Sequence, residues 1–263
     1  MISIVIPTLN EALTLPRTLA HTREAAGPAV IEVIVADCNS RDDTACVARS
    51  LGARVVGGGT CRADAQNRGA AVAKGDTLLF LHADSWLPGG FPAKIGRALA
   101  DRDVVGGAFD FEFSPHPDAH GLERRLLDWV VLVNRIRYRW TGNFYGDQAI
   151  FVRRAVFDRV GGFPPVRLME DIGLSCRIKR LGRTAILRPP VLTSPRRFLS
   201  RGVARQFAED LMLLTCASFD GSPQRLWEKY NGWNHGAGGR DNADMISNYR
   251  EGLGPGAAWR GGS

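Results

Sequence analysis

A chain of 263 residues, 44% hydrophobic and 23% charged, has the length for one or two domains and the composition of a folded globular protein. Disorder over most of the length, a collagen-like fibre and a coiled coil are excluded. Nine of the 34 basic residues and none of the 27 acidic ones lie between Arg177 and Arg205, so the net charge of +7 belongs to one segment. That segment is either a solvated face or one that meets an anionic partner: a phosphate-bearing substrate, a lipid surface or nucleic acid.

The first hundred residues alternate strand and helix signals. Ile2–Ile6 is an apolar run, and Glu11 to Ala25 has helical spacing through Leu13, Leu15 and Leu19. Val30–Ala36 predicts a second strand and Asp42–Leu51 a helix, with Ser40 and Asp43 as a start signal of the capping-box kind. Ala53–Val56, Arg62–Ala73 and Thr77–Leu81 continue as strand, helix and strand. This order predicts β-α-β units in an α/β, mostly parallel sheet, whose ligands lie beyond the carboxyl ends of the strands. The second half predicts a strand over Val104–Phe113, an amphipathic helix over Gly121–Arg139 and a strand over Asp147–Val152. Helices follow over Met169–Leu181, Leu199–Phe219 and Pro223–Tyr230, and from Gly232 the glycine-rich chain reads as a loosely ordered tail.

The five cysteines are odd in number and show no C-x-x-C spacing, so neither a disulfide framework nor a zinc ribbon is expected. Met1 opens directly into an apolar run without the parts of a signal peptide, and no apolar stretch approaches the ~18 residues of a spanning helix. A cytoplasmic protein is expected, with peripheral contact at the inner membrane surface left open by one helix. Leu122–Arg139 carries Trp129, Val130, Val133 and Ile136 among Arg124, Arg125, Arg135, Arg137 and Arg139. Packing against the sheet is the preferred use; lying on a membrane or covering an acceptor groove is the other.

Polar clusters follow the strands: Pro7-Thr8-Leu9-Asn10-Glu11, then Asp37 to Thr44, then His82-Ala83-Asp84. Singly, each is ordinary turn chemistry. In series, "IVIPTLNE", "VIVADCNSRDDT", "RADAQNRGAAVAKGD", "LLFLHADSWLP" and "MEDIGLSCRIKRLG" resemble the family 2 glycosyltransferases of GT-A fold over residues 2 to 182. The resemblance implies one GT-A domain over 1–231. A nucleotide-sugar-binding half (1–115) would be followed by an acceptor half with C-terminal helices (116–231), and then by the tail 232–263.

It also implies roles. Pro7, Thr8, Glu11 and Asp37 are expected to hold the nucleotide, and Arg62 to reach it or its phosphates. Asp42 matches the second acid of the same motif, with a plain helix-start role equally open. The family's metal motif, Asp-x-Asp, reads His82-Ala83-Asp84 here, so Asp84 is the expected ligand of Mg²⁺ or Mn²⁺. His82 stands in place of the first acid, and a nitrogen donor suits Mn²⁺ better than Mg²⁺. Of the acid pair Glu170-Asp171, Asp171 is the expected base for the acceptor hydroxyl and Glu170 its neighbour. Asp147 is an acceptor or sugar ligand or a turn residue, and Arg196 and Arg197 are a lid over the diphosphate.

The expected activity is that of an inverting, hexosyltransferase-type glycosyltransferase with a nucleotide-sugar donor, uridine-linked by preference, and an unknown hydroxyl acceptor. A non-catalytic nucleotide-sugar-binding protein is the alternative. Dinucleotide binding fails because Arg62 stands where the glycine fingerprint starting at Gly57 needs its last glycine. No nucleic-acid partner is expected, since it would leave the acid clusters without purpose.

Overall fold

All seven residues of β1 (Ile2–Thr8) are buried, as a central strand covered on both faces requires. It pairs in parallel with β2 (Ile31–Asp37) and β4 (Thr77–Phe80), and β2 pairs in parallel with β3 (Arg54–Val56). The computed structural model describes residues 1–166 and 168–220. In it the same sheet takes in β5 (Ser85–Trp86), β6 (Val104–Phe113), β7 (Phe151–Arg153) and β8 (Arg183–Thr193). The order is β3-β2-β1-β4-β7-β6-β8-β5. β7 is antiparallel to β4 and β6, β8 is parallel to β6, and β5 is antiparallel to β8. The α/β, mostly parallel sheet read from the sequence is present, with β7 and β5 reversed.

Side chains of the central strands alternate between two apolar layers, the period-two consequence of strand geometry. Ile4 and Ile6 of β1, Val33 and Val35 of β2, and Leu79 face one layer. Val5, Ile34, Ala36, Leu78 and Phe80 face the other. The first is closed by α1 (Leu15–Ala26), α2 (Thr44–Ser50), α4 (Phe91–Ala100) and α5 (Gly121–Thr141). The second is closed by α3 (Arg62–Val72), α6 (Arg154–Arg159) and α7 (Glu170–Ile178). Each large side chain fully buried in these layers contributes about 1.5–3 kcal/mol. Together they hold the carboxyl ends of β1, β2 and β4 side by side.

Several boundaries differ from expectation for local reasons. The first helix starts at Leu15, not Glu11, because the Glu11 carbonyl closes a turn by accepting from Thr14 and Leu15. Ser40 does not cap α2; its hydroxyl turns back to Asp37 at 2.5 Å. The strand expected over Asp147–Val152 is instead a 3-10 turn at Gly146–Gln148, a left-handed Ala149 and the short β7. Gln148 imposes the turn, accepting from the Tyr145 N–H (3.0 Å) and donating to the Phe109 carbonyl (3.2 Å). Gly202, at φ 85°, divides the expected Leu199–Phe219 helix into α8 (Arg196–Arg201) and α9 (Val203–Asp220).

β8 was not foreseen, since Arg188-Pro189-Pro190 interrupts any strand pattern. The sheet absorbs these residues in a register shift: Phe109 pairs with Leu187 and Phe111 with Val191, so the three oppose Asp110 alone. The helix expected over Pro223–Tyr230 and the tail from Gly232 lie outside the described residues. Among those described, no helix is long and apolar enough to cross a membrane.

Candidate active site

Parallel pairing of β1 with β2 sets Thr8 beside Asp37 at the strand ends. The Thr8 hydroxyl donates to the Asp37 carboxylate at 3.1 Å. Ser40 adds its backbone N–H (2.9 Å) and its hydroxyl (2.5 Å). A carboxylate has about four acceptor positions, so three internal donors leave room for about one more. The loops after β1 and β2 also latch to each other. Asn10 N–H donates to the Ser40 hydroxyl (2.9 Å), Glu11 N–H to the Thr44 hydroxyl (2.8 Å) and Ala12 N–H to Asp42 (3.1 Å). Asp42 also accepts from the Thr44 hydroxyl and N–H, bonds that hold its carboxyl below the usual range. Its place is therefore in the latch.

Arg196, at the start of α8, reaches across to this cluster, 3.5 Å from Glu11 and 3.7 Å from Asp84. Burial and the charge of Glu11 raise the Asp84 pKa, and Arg196 opposes them. Arg197 turns the other way and pairs with Asp210 of α9 at 2.7 Å. The two arginines of the expected lid thus have different partners, and only Arg196 contacts the residues expected to hold nucleotide and metal.

The second centre lies where α7 begins. Met169 adopts a left-handed backbone, φ 61°, and turns the chain so that the first two helical residues are the acid pair. Glu170 is buried and ion-paired with Arg62 at the start of α3. Arg62, expected at the nucleotide, is therefore tied to the acid pair. Asp171 accepts from the Gly146 N–H at 2.6 Å and from its own Ile172 N–H at 2.8 Å. Burial, then the charge of Glu170, pushes its carboxyl up to about 6 against the opposing pull of Arg62. Asp147, one residue beyond Gly146, is pushed up to about 7 by burial and then by Asp171. One of its oxygens is buried without a hydrogen-bond partner.

His82 joins the two centres. A Cβ on Gly146 would lie 2.6 Å from His82 Nε2 and 3.5 Å from an Asp171 oxygen, so only glycine admits both groups here. Burial, then Arg62 and Arg197, pushes the imidazole down to about 3, and it stays neutral at physiological pH. Its Nε2 is buried without a partner and lies against Gly146. Among the described residues, no group of three or more His, Cys, Asp or Glu side chains could hold a metal. The donor set fits only an ion that completes its shell with substrate phosphate and water.

Sequence reasoning missed Arg137 and Tyr145. The guanidinium of Arg137 lies 4.3 Å from the Tyr145 ring centroid, and its charge opposes the rise in the Asp147 pKa. Arg137 was visible only as one of five arginines on α5. Nothing in the sequence distinguished it from the others.

Comparison with known proteins accords with this arrangement. The sequence model of glycosyl transferase family 2 matches residues 3–161, more than half of the chain. A PGL/p-HBAD biosynthesis glycosyltransferase of Mycobacterium tuberculosis is 32% identical over 183 residues, covering 62% of this chain and 63% of the relative. The chain thus spans less than two thirds of that relative's length. Validoxylamine A glucosyltransferase of Streptomyces hygroscopicus subsp. limoneus is 32% identical over 143 residues, 46% of this chain and 30% of the relative. Among solved structures, S. aureus TarS 1-349 in complex with UDP-GlcNAc superposes with a TM-score of 0.53 at 17% identity, over 73% of this chain and 58% of that one. M. tuberculosis glucosyl-3-phosphoglycerate synthase does so with a TM-score of 0.50 at 23% identity, over 71% and 69%. These two show that the fold is shared. The strand-end clusters, the acid pair and the family match agree, and this chain belongs to glycosyl transferase family 2.

Proposed function

We propose that the chain transfers a sugar from a nucleotide-sugar donor to a hydroxyl acceptor, with inversion at the anomeric carbon and Asp171 as the base. The observation that carries this reading is the placement of Asp171 in the first turn of α7, beside Glu170 and across from the Gly146 N–H. Its carboxylate is anchored by the Gly146 N–H at 2.6 Å, and its pKa is pushed up to about 6. A base with that pKa is ionised at neutral pH yet basic enough to accept a proton as the acceptor oxygen attacks.

The division of labour follows the two centres. Thr8, Asp37 and the latched loops would cradle the nucleotide, with Pro7 and Glu11 beside them. Arg196 would move from Glu11 and Asp84 onto the diphosphate, meeting the charge that grows as the glycosidic bond breaks. Arg62 pairs with Glu170 and keeps a positive charge near the acid pair. Asp147, with its unpartnered buried oxygen, would ligate a hydroxyl of the sugar or the acceptor. The acceptor hydroxyl gives its proton to Asp171, its oxygen bonds the anomeric carbon, and the nucleoside diphosphate leaves with the bonding pair. Asp84, with His82, would hold Mg²⁺ or Mn²⁺ against the nucleotide. When bound, the ion supplies charge neutralisation at the diphosphate.

A melting-temperature screen of nucleotide sugars tests this, since a ligand that binds only the folded state raises Tm. UDP-sugars come first; TarS, which shares the fold, was crystallised with UDP-GlcNAc. A rise of several degrees with at least one nucleotide sugar, with nucleoside diphosphate released on turnover, is the expected result. No shift with any nucleotide sugar, with or without Mn²⁺, would remove the reading.

A further inference from the structure

α5 is 21 residues long, about 30 Å at ~1.5 Å per residue, and its two sides are built differently. Leu127, Val130, Val131 and Tyr138 are buried against the sheet, which satisfies the packing expected from the sequence. The opposite side is apolar as well. Leu122 (71% exposed), Leu132 (52%), Ile136 (57%) and Trp140 (93%) are open, with Trp129 half-exposed and edge-on to Phe207 of α9. At ~100° per residue these five positions fall within about 80° of arc, so they form one stripe. Arg125 is exposed on the same arc and Arg139 about 20° beyond its edge. The nearest acid on that surface, Asp128, is already paired with Arg124 at 3.1 Å.

We propose that this face of α5 docks flat on a membrane surface containing anionic lipid. A helix whose outer side combines Trp, Leu and Ile with arginines has the composition of an interfacial element, its apolar side chains entering the headgroup boundary and its arginines meeting lipid phosphate. Within α5, five arginines stand against two acids, Glu123 and Asp128, and this local positive charge complements an anionic leaflet. The position also matters. Trp140 lies seven residues before Asp147, and the chain between them is pinned to α7 by Phe144 N–H to the Ser175 hydroxyl (2.9 Å) and by Gly146 N–H to Asp171. Docking through α5 therefore holds the acid pair close to the surface. The docking does not rest on the proposed transfer, and its test contains no turnover step.

The test is co-sedimentation of the full chain with phosphatidylcholine vesicles, with and without about one-third phosphatidylglycerol. Binding to the anionic vesicles only, largely released at roughly 1 M salt where charges are screened within ~3 Å, is expected. Ile136→Glu and Trp140→Ala should each lower the bound fraction about tenfold or more, with Tm within a few degrees of wild type. Absence of binding to anionic vesicles would overturn the proposal, as would undiminished binding by both variants. A large loss of Tm in Ile136→Glu would mean that residues 221–263 cover the face. A change from dimer to monomer in that variant would mean that a second copy does, and either result overturns it.

Discussion

The backbone N–H of Gly146 donates to the carboxylate of Asp171 across 2.6 Å, and the absent side chain of Gly146 is what lets His82 lie against the same peptide. Gly146→Ala would place a methyl group 2.6 Å from His82 Nε2, so the loop or the imidazole must move. A shift of about 1 Å in a positioned catalytic group costs up to ~10²-fold in rate. The variant should lose turnover by about that factor while UDP affinity changes less than a few-fold. Calorimetry beside a UDP-release assay separates the two; a loss of both in equal measure would place Gly146 in general folding.

The pH dependence of turnover should show the Asp171 carboxylate. It must be ionised to act as base, so the rate should rise with pH through about 6 and level off above it. A rate–pH profile that is flat between pH 5 and 8 would contradict the assignment.

Asp147 makes an opposite prediction for stability. Its pKa is raised in the folded protein, so the native state holds the proton more tightly than the unfolded chain does. Its contribution is therefore favourable below about pH 4 and is lost as pH rises through about 7. Asp147→Asn, which cannot ionise, should raise Tm at pH 8 and leave it nearly unchanged at pH 4. A lower Tm at pH 8 would show that the ionised carboxylate has a partner that compensates its burial.

The two lid arginines should separate. Arg196 lies within 4 Å of Glu11 and Asp84, whereas Arg197 is held by Asp210. Arg196→Ala should weaken UDP binding about tenfold, the scale of one charge-assisted contact, and Arg197→Ala by much less. Equal losses would mean that both swing over the diphosphate.

Metal and nucleotide should bind together. With Asp84 as the proposed carboxylate ligand and no group of three metal-binding side chains among the described residues, a divalent ion gains affinity only when the nucleotide brings oxygen ligands. UDP titrated in chelator and in saturating Mn²⁺ should differ in affinity by about tenfold or more, a coupling within the usual range for linked sites. Asp84→Asn should erase that difference, while His82→Ala should chiefly narrow the preference for Mn²⁺ over Mg²⁺. Identical affinities in the two wild-type titrations would leave charge neutralisation to Arg196.

The strand-end clusters were legible in the sequence because each follows an apolar run long enough to be a buried strand. The acid pair was legible for a similar reason, standing at the start of a helix whose Leu174 and Ile178 mark its buried face. What was not legible depends on partners far along the chain. Arg62 looked like a phosphate ligand, but its partner Glu170 is 108 residues away. The latch between the first two loops joins residues about thirty positions apart through single hydroxyl and carboxylate oxygens, with no local pattern to reveal it. β8 was hidden by Pro189 and Pro190, which the sheet tolerates only through a register shift opposite Asp110. Local surroundings set the remaining surprise: the same residue type, aspartate, is held below its usual range by Thr44 hydrogen bonds at Asp42 and pushed up to about 7 by burial at Asp147.

Asp171→Asn tests the central claim most directly. The amide keeps the size of the carboxylate and its oxygen can still accept from Gly146, but it cannot take a proton. UDP affinity should stay within a few-fold of wild type while UDP release from the donor sugar falls by ~10²-fold or more, the scale of a lost general base. The pH dependence through about 6 should vanish with it. Turnover at the wild-type rate, with the pH limb intact, would contradict the account.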